Sequence, residues 1–231
     1  MLAQTMIAQT SSRQPATRAV RSVPPVISRN LNNSVELMGA PMPFARNTEI
    51  YGENEPAEYL YKVISGAVRT YKVLADGRRQ IGAFYLPGDI FGLEAGAEHA
   101  FSAEAVSDSN VLVIKRSAVM DLAARDSGIA QQLWTVTGCE LQRAQEHVLL
   151  LIKSAQERVA GFLVEMAKRA PGAASTIQLA MSRQDIADYL GLTIETISRT
   201  LTQFEKSAAI ALPTSRQIEI RNRAALARLN S

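Results

Sequence analysis

The 231-residue chain has one cysteine and two histidines. A lone thiol, Cys139, makes no internal disulfide and no multi-cysteine metal or iron–sulfur site, and it fits a reducing cytosol. His99 and His147 are too few for a metal centre, which wants several converging ligands, so neither a metal nor another cofactor is expected. No apolar run reaches the roughly 18 residues of a membrane span, and no membrane partner is expected. A glycine-rich phosphate loop, a nucleophile elbow and a redox cysteine pair are all missing, which argues against an enzyme. These absences point to a cytoplasmic protein that works by binding.

Acid is what residues 1–33 lack. They hold Arg13, Arg18, Arg21 and Arg29 and no Asp or Glu, while the whole chain carries only +3. The remainder is close to neutral, so any basic surface must come from local arrangement rather than bulk charge. Rich in Ser, Thr, Gln and Pro, 1–33 reads as a flexible N-terminal extension; an organelle transit peptide has a similar composition.

Beyond this stretch the chain is organised by hydrophobic period. From Tyr59 to Lys115 short extended runs alternate with Gly66, Asp76-Gly77 and Pro87-Gly88, the punctuation of a β-sandwich, roll or barrel. A helix begins near Ser117, breaks near Asp126-Ser127-Gly128, and runs to Lys153. In it Ala130, Trp134, Thr137, Leu141, Ala144, Val148, Leu151 and Ala155 recur at alternating steps of four and three. That heptad seam either packs on the chain's own β-domain or pairs two copies, with Trp134, Leu141, Ala144, Val148 and Leu151 at the interface. Its breadth favours the dimer. Cys139 lies near the seam, as a redox or subunit-linking thiol or simply a small buried hydrophobe. After it come a helix, a strand "STIQLAM", two short helices and a hairpin "AIALPTSRQIEIRN", which together make a winged helix-turn-helix.

The two short helices hold the candidate site. Ser182 with Asp185 forms a capping box, Gly191 suits a left-handed helix end, and Thr193 can cap the next helix. On a wheel of about 100° per residue, Ile197, Leu201 and Phe204 share one face while Ser198, Thr202, Glu195 and Arg199 share the other. Arginine can bond guanine bidentately, a carboxylate accepts from a cytosine amine, and a serine hydroxyl serves several bases. Glu195, Ser198 and Arg199 are therefore the expected base readers. Ser182, Arg183, Thr193, Ile194, Thr196 and Thr202 are secondary contacts, Ile194 near enough to touch a thymine methyl. The alternative is a solvated face with an i,i+4 Glu195–Arg199 pair.

"RQDIADYLGLTIETISRTLTQFEKS" closely resembles the helix-turn-helix of the CRP/FNR family of bacterial transcription regulators, and its Glu195–Arg199 core the FixK-like version. The β-rich stretch "LYKVISGAVRTYKVLADGRRQIGAFYLPGDIFGLE" resembles that family's β-roll, so about residues 45–228 are covered. The resemblance implies an α+β fold: a flexible extension 1–33, a cyclic-nucleotide-binding-like jelly roll 34–124, a dimerisation helix 125–153 and a winged helix-turn-helix 154–231. It also implies a homodimer on palindromic double-stranded DNA with TTGA-type half-sites, recruiting RNA polymerase, chiefly as an activator. The cysteine group of the oxygen-sensing branch is missing. The Arg-Ser pair of cyclic-AMP binders is replaced by Glu98-His99-Ala100, and the arginine they carry before the glutamate by Ile194. What remains implies low-oxygen respiration, denitrification or nitrogen-fixation genes, with no effector bound. The alternative is gating by a small molecule or by oxidation of Cys139.

Overall fold

The computed structural model describes residue 31 and residues 36–170 and 175–229. Eight strands come first: β1 (Ala40–Phe44), β2 (Glu49–Tyr51), β3 (Tyr59–Ser65), β4 (Val68–Val73), β5 (Arg79–Tyr85), β6 (Ile90–Phe91), β7 (Ser102–Ala105) and β8 (Ser109–Lys115). They form two antiparallel sheets, ordered β1-β8-β3-β6 and β2-β7-β4-β5. The fold is thus the anticipated β-roll. Gly66 turns β3 into β4 at φ 84°, a left-handed conformation, and a Cβ there would run into the Ser109 side chain and the Asp108 carbonyl.

Helices come next: α1 (Arg116–Arg125), α2 (Ser127–Leu151) and α3 (Ala155–Arg169). The break falls at Asp126, whose carboxylate accepts from Gly128 N at 2.8 Å and so starts α2. Ile129, Val136 and Leu150 bury one side of α2. The heptad stripe lies on another side: Trp134 is 78%, Leu141 60% and Val148 64% exposed. Ala130, Thr137 and Ala144 are exposed too, and only Leu151 and Ala155 are half-buried. The stripe does not pack on the chain's own β-roll. The reading of Cys139 as a buried hydrophobe is corrected as well, since it is exposed on the same helix.

The last part is β9 (Thr176–Gln178), α4 (Arg183–Leu190), α5 (Ile194–Lys206), β10 (Ile210–Ala211), β11 (Gln217–Ile220) and α6 (Arg223–Leu229). β9, β11 and β10 make a small antiparallel sheet, with Ile210 opposite Ile220, as the wing reading requires. "STIQLAM" contributes three strand residues rather than seven, and α6 adds a helix that the sequence pattern does not announce. Leu31, inside the expected extension 1–33, is buried beside Leu60, Ile114, Val119 and Ile129, and its N–H donates to Gln132 Oε1 at 2.6 Å. The rest of that stretch lies outside the described residues.

One apolar core crosses from the β-roll to the C-terminal part. Ile81 and Phe84 of β5 join Phe162 and Leu163 of α3 and Ile186, Tyr189 and Leu190 of α4, the Phe84 and Tyr189 rings standing 5.2 Å apart. The helix-turn-helix is therefore packed on the β-roll rather than tethered to it.

Candidate nucleic-acid interface

The first helix, α4, starts with both halves of its capping box. Ser182 Oγ accepts from Asp185 N at 3.1 Å, and Asp185 Oδ2 accepts from Ser182 N at 2.9 Å. The Ser182 hydroxyl also donates to that carboxylate at 2.8 Å, so this expected DNA contact is largely engaged in its own cap. Arg183 begins the helix half-buried. Burial lowers its guanidinium from the ordinary value, and its Nη1 finds no hydrogen-bond partner among the described residues.

Gly191 closes α4 at φ 61°, ψ 41°, the left-handed geometry that favours glycine. Arg158 of α3 clamps this turn, its Nη1 donating to Leu190 O at 2.9 Å and its Nε to Lys153 O at 2.8 Å. That arginine satisfies helix-end carbonyls that α4 cannot bond itself. Sequence reasoning missed it, because an arginine in an amphipathic helix looks like any solvated charge.

Thr193 caps α5, accepting from Thr196 N at 3.2 Å, and the two threonine hydroxyls lie 3.1 Å apart. Ile197, Thr200, Leu201 and Phe204 are buried. Each large apolar side chain there contributes roughly 1.5–3 kcal/mol to seating the helix. The opposite face carries Glu195, Ser198, Arg199 and Thr202, all exposed, so the structure brings the three expected base readers together. Thr202 is partly satisfied, its hydroxyl donating to Ser198 O at 3.0 Å. Ile194 is exposed at the start of this face, and Thr196 is half-buried.

The electrostatics keep that face charged. Hydrogen bonds from its own backbone N–H and from the Thr193 hydroxyl hold the Glu195 carboxyl below the usual carboxylate range, with Arg199 adding to the effect. Glu195 is thus ionised at neutral pH, at the helix end where the dipole favours a negative charge. Among the described residues no ion pair joins Glu195 to Arg199, so the expected intrahelical alternative is not formed. A carboxylate, a hydroxyl and a guanidinium stand exposed together on one face of a helix whose other face is locked in the core, the carboxylate held at the helix end by its local hydrogen bonds.

A cavity of about 390 Å³ opens between the β-roll and α2, lined among others by Tyr51, Glu94, Phe101, Glu140, Arg143 and Arg169. Tyr51 is buried with an unpartnered hydroxyl, and Glu94 Oε2 is unpartnered too. His99 is buried and stacked on Tyr51 at 3.6 Å. Arg79, in the nearby stretch "DGRRQIG", pairs with Asp185 and Asp188 of α4. Among the described residues no group of three or more His, Cys, Asp or Glu could hold a metal ion, and no helix is long and apolar enough to cross a membrane.

A β-roll, a long helix with an open apolar stripe, and a winged helix-turn-helix displaying a polar second helix define a DNA-binding transcription regulator. Comparisons with known proteins agree. Residues 157–229 match the Crp-like helix-turn-helix domain, and residues 41–126 the cyclic nucleotide-binding domain. The chain is 52% identical over 202 residues to the nitrogen fixation regulation protein FixK of Azorhizobium caulinodans, covering 85% of this chain and 82% of that protein. To the Rhizobium meliloti protein of the same name it is 43% identical, covering 74% and 78%. The structure of FixK2 from Bradyrhizobium japonicum superposes with a TM-score of 0.80 at 50% identity, covering 84% of this chain and 98% of that one. The chain belongs to the CRP/FNR family of transcription regulators, in its FixK-like branch.

Proposed function

We propose that this protein is a cytoplasmic, homodimeric activator that reads palindromic double-stranded DNA, one TTGA-type half-site per subunit, and recruits RNA polymerase there. Glu195, Ser198 and Arg199 read base edges; Arg183, Thr193, Ile194, Thr196 and Thr202 make the flanking contacts, with Ser182 acting first through its cap. The observation that carries this reading is the division of α5: Ile197, Leu201 and Phe204 lock one face into the core, and the other presents its charges unpaired. The exposed stripe of Trp134, Leu141, Ala144 and Val148 supports pairing with a second copy, since an apolar row of this length is costly to leave in water. The FixK relatives, named for regulating nitrogen fixation, support a role in low-oxygen respiration, denitrification or nitrogen-fixation genes. In this reading no effector is needed.

A second reading, gating by a small molecule, is favoured by the unpartnered Tyr51 hydroxyl and Glu94 oxygen at the cavity. Oxidation of the exposed Cys139 is its other form. Unbiased binding-site selection on purified, effector-free protein tests the first reading, with a two-fold symmetric site as the expected product. Selection of no common sequence would overturn it. Saturable thermal stabilisation by a nucleotide or other metabolite would establish the second.

A further inference from the structure

The β4–β5 hairpin reaches over α4 and grips it through a buried ionic network. Arg69 Nη1 donates to Asp185 Oδ1 at 2.9 Å, and its Nη2 to Glu104 at 2.6 Å. Arg79 Nη2 reaches the same Asp185 oxygen at 2.7 Å, while its Nε donates to Asp188 Oδ2 at 2.8 Å. The Gln80 amide donates to Tyr189 O at 3.3 Å. The side chains of Arg69 and Asp185 are each 6% exposed, whereas Arg79 lies at the rim with 26%. Planar guanidinium forks bind only along set directions, so two of them converging on Asp185, one also spanning to Asp188 on the next turn, fix the rotation of α4 as well as its distance. The turn at Gly191, clamped by Arg158, carries that orientation into α5.

We propose that Arg69 and Arg79 are positioning residues for DNA reading. Acting through Asp185 and Asp188, they let each β-roll set the angle at which its recognition helix leaves the dimer. That angle fixes the spacing between half-sites that one dimer can read. The inference rests on the palindromic-dimer reading above. Equivalent major grooves recur about 34 Å apart, so a braced pair of helices accepts one spacing and a loosened pair accepts several.

The test uses the full chain and a series of palindromes built from the selected half-site, their central spacers shortened or lengthened by one and two base pairs. Binding is followed by fluorescence anisotropy. Wild type is expected to prefer one spacing by about tenfold or more, the discrimination that register on a two-fold site demands. Asp188→Asn, nearly isosteric and at the rim, and Arg79→Gln are expected to flatten that preference while leaving dimer mass and base preference within the half-site unchanged. Arg79→Lys, which keeps the charge without the fork, should fall between. Folded variants that keep the wild-type spacing preference, or that weaken equally at every spacing, overturn the proposal. Should Arg79→Gln fail to fold, Asp188→Asn decides alone. A wild type indifferent to spacing strikes the palindrome reading instead, a result distinct from any behaviour of the variants.

Discussion

Helices α4 and α5 are separated only by Gly191, Leu192 and Thr193, and they use charge in opposite ways. In α4 the acids turn inward: Asp185 meets Arg69 and Arg79, and Asp188 meets Arg79. Its last carbonyls are taken as well, Leu190 by Arg158 and Tyr189 by Gln80 and the His147 Nε2–H at 2.8 Å. In α5 Glu195 and Arg199 face solvent and do not pair with each other. A charge buried and matched within the chain is architecture. One left open on a rigid helix is available to something outside the chain.

The sharpest way to break this contrast is Asp185→Ala. It leaves the Arg69 guanidinium buried with one carboxylate instead of two and removes half of the capping box. The expected cost is about 3–5 kcal/mol, the range for deleting one partner of a buried pair, read from urea unfolding. A loss below about 1 kcal/mol would class Asp185 with weak surface ion pairs. Next is Arg199→Ala, whose expected effect is on DNA alone: about 1–3 kcal/mol of binding, with relaxed preference at one base pair and unchanged unfolding. Equal weakening on every sequence would reduce Arg199 to a phosphate contact. Thr193→Ala should cost about 1 kcal/mol of stability through its lost cap, since Thr196 N then has no side-chain acceptor.

These two helices also differ in how legible they are in the sequence. The α5 face, both caps and the Gly191 turn come from local rules, a period near 3.6 and a few side-chain oxygens, and each stands in the structure. The bracing of α4 depends on partners more than 100 positions away, and no period announces it. Asp185 is legible as a cap residue and silent as an ion-pair partner. The same divide runs through the β-roll. β3, β4, β5 and β8 carry branched and aromatic residues between glycine turns, whereas β1 is "APMPF", an edge strand paired only to β8 whose prolines disguise it. β2 and β7, three and four residues long, are too short for a pattern to show. Thr200 looks polar on the wheel and is buried, because tertiary packing, not residue type, assigns the margin of a helix face.

His147 extends the comparison to a third element, joining the long helix α2 to the closing turn of α4. Its ring stacks on Tyr189 at 3.9 Å between centroids while its N–H bonds that residue's carbonyl. Burial pushes the imidazole below its ordinary value of 6.5, the Tyr189 carbonyl opposing this only in part. The unfolded chain therefore binds this proton more readily than the folded one. The stability His147 contributes is complete above pH 6.5 and is lost as pH falls through its lower folded value. Glu140, raised by burial, works in the opposite sense, so the net slope of the wild type mixes the two. Comparison with His147→Gln isolates the histidine, because the amide can still donate to Tyr189 but does not titrate. The variant is expected to lose less melting temperature than wild type between about pH 7 and pH 5, because it lacks the group whose proton the unfolded chain binds more readily. Parallel pH curves for the two proteins would show that His147 is free to charge within the fold, and that α4 is held at its carboxyl end by Arg158 and Gln80 without it.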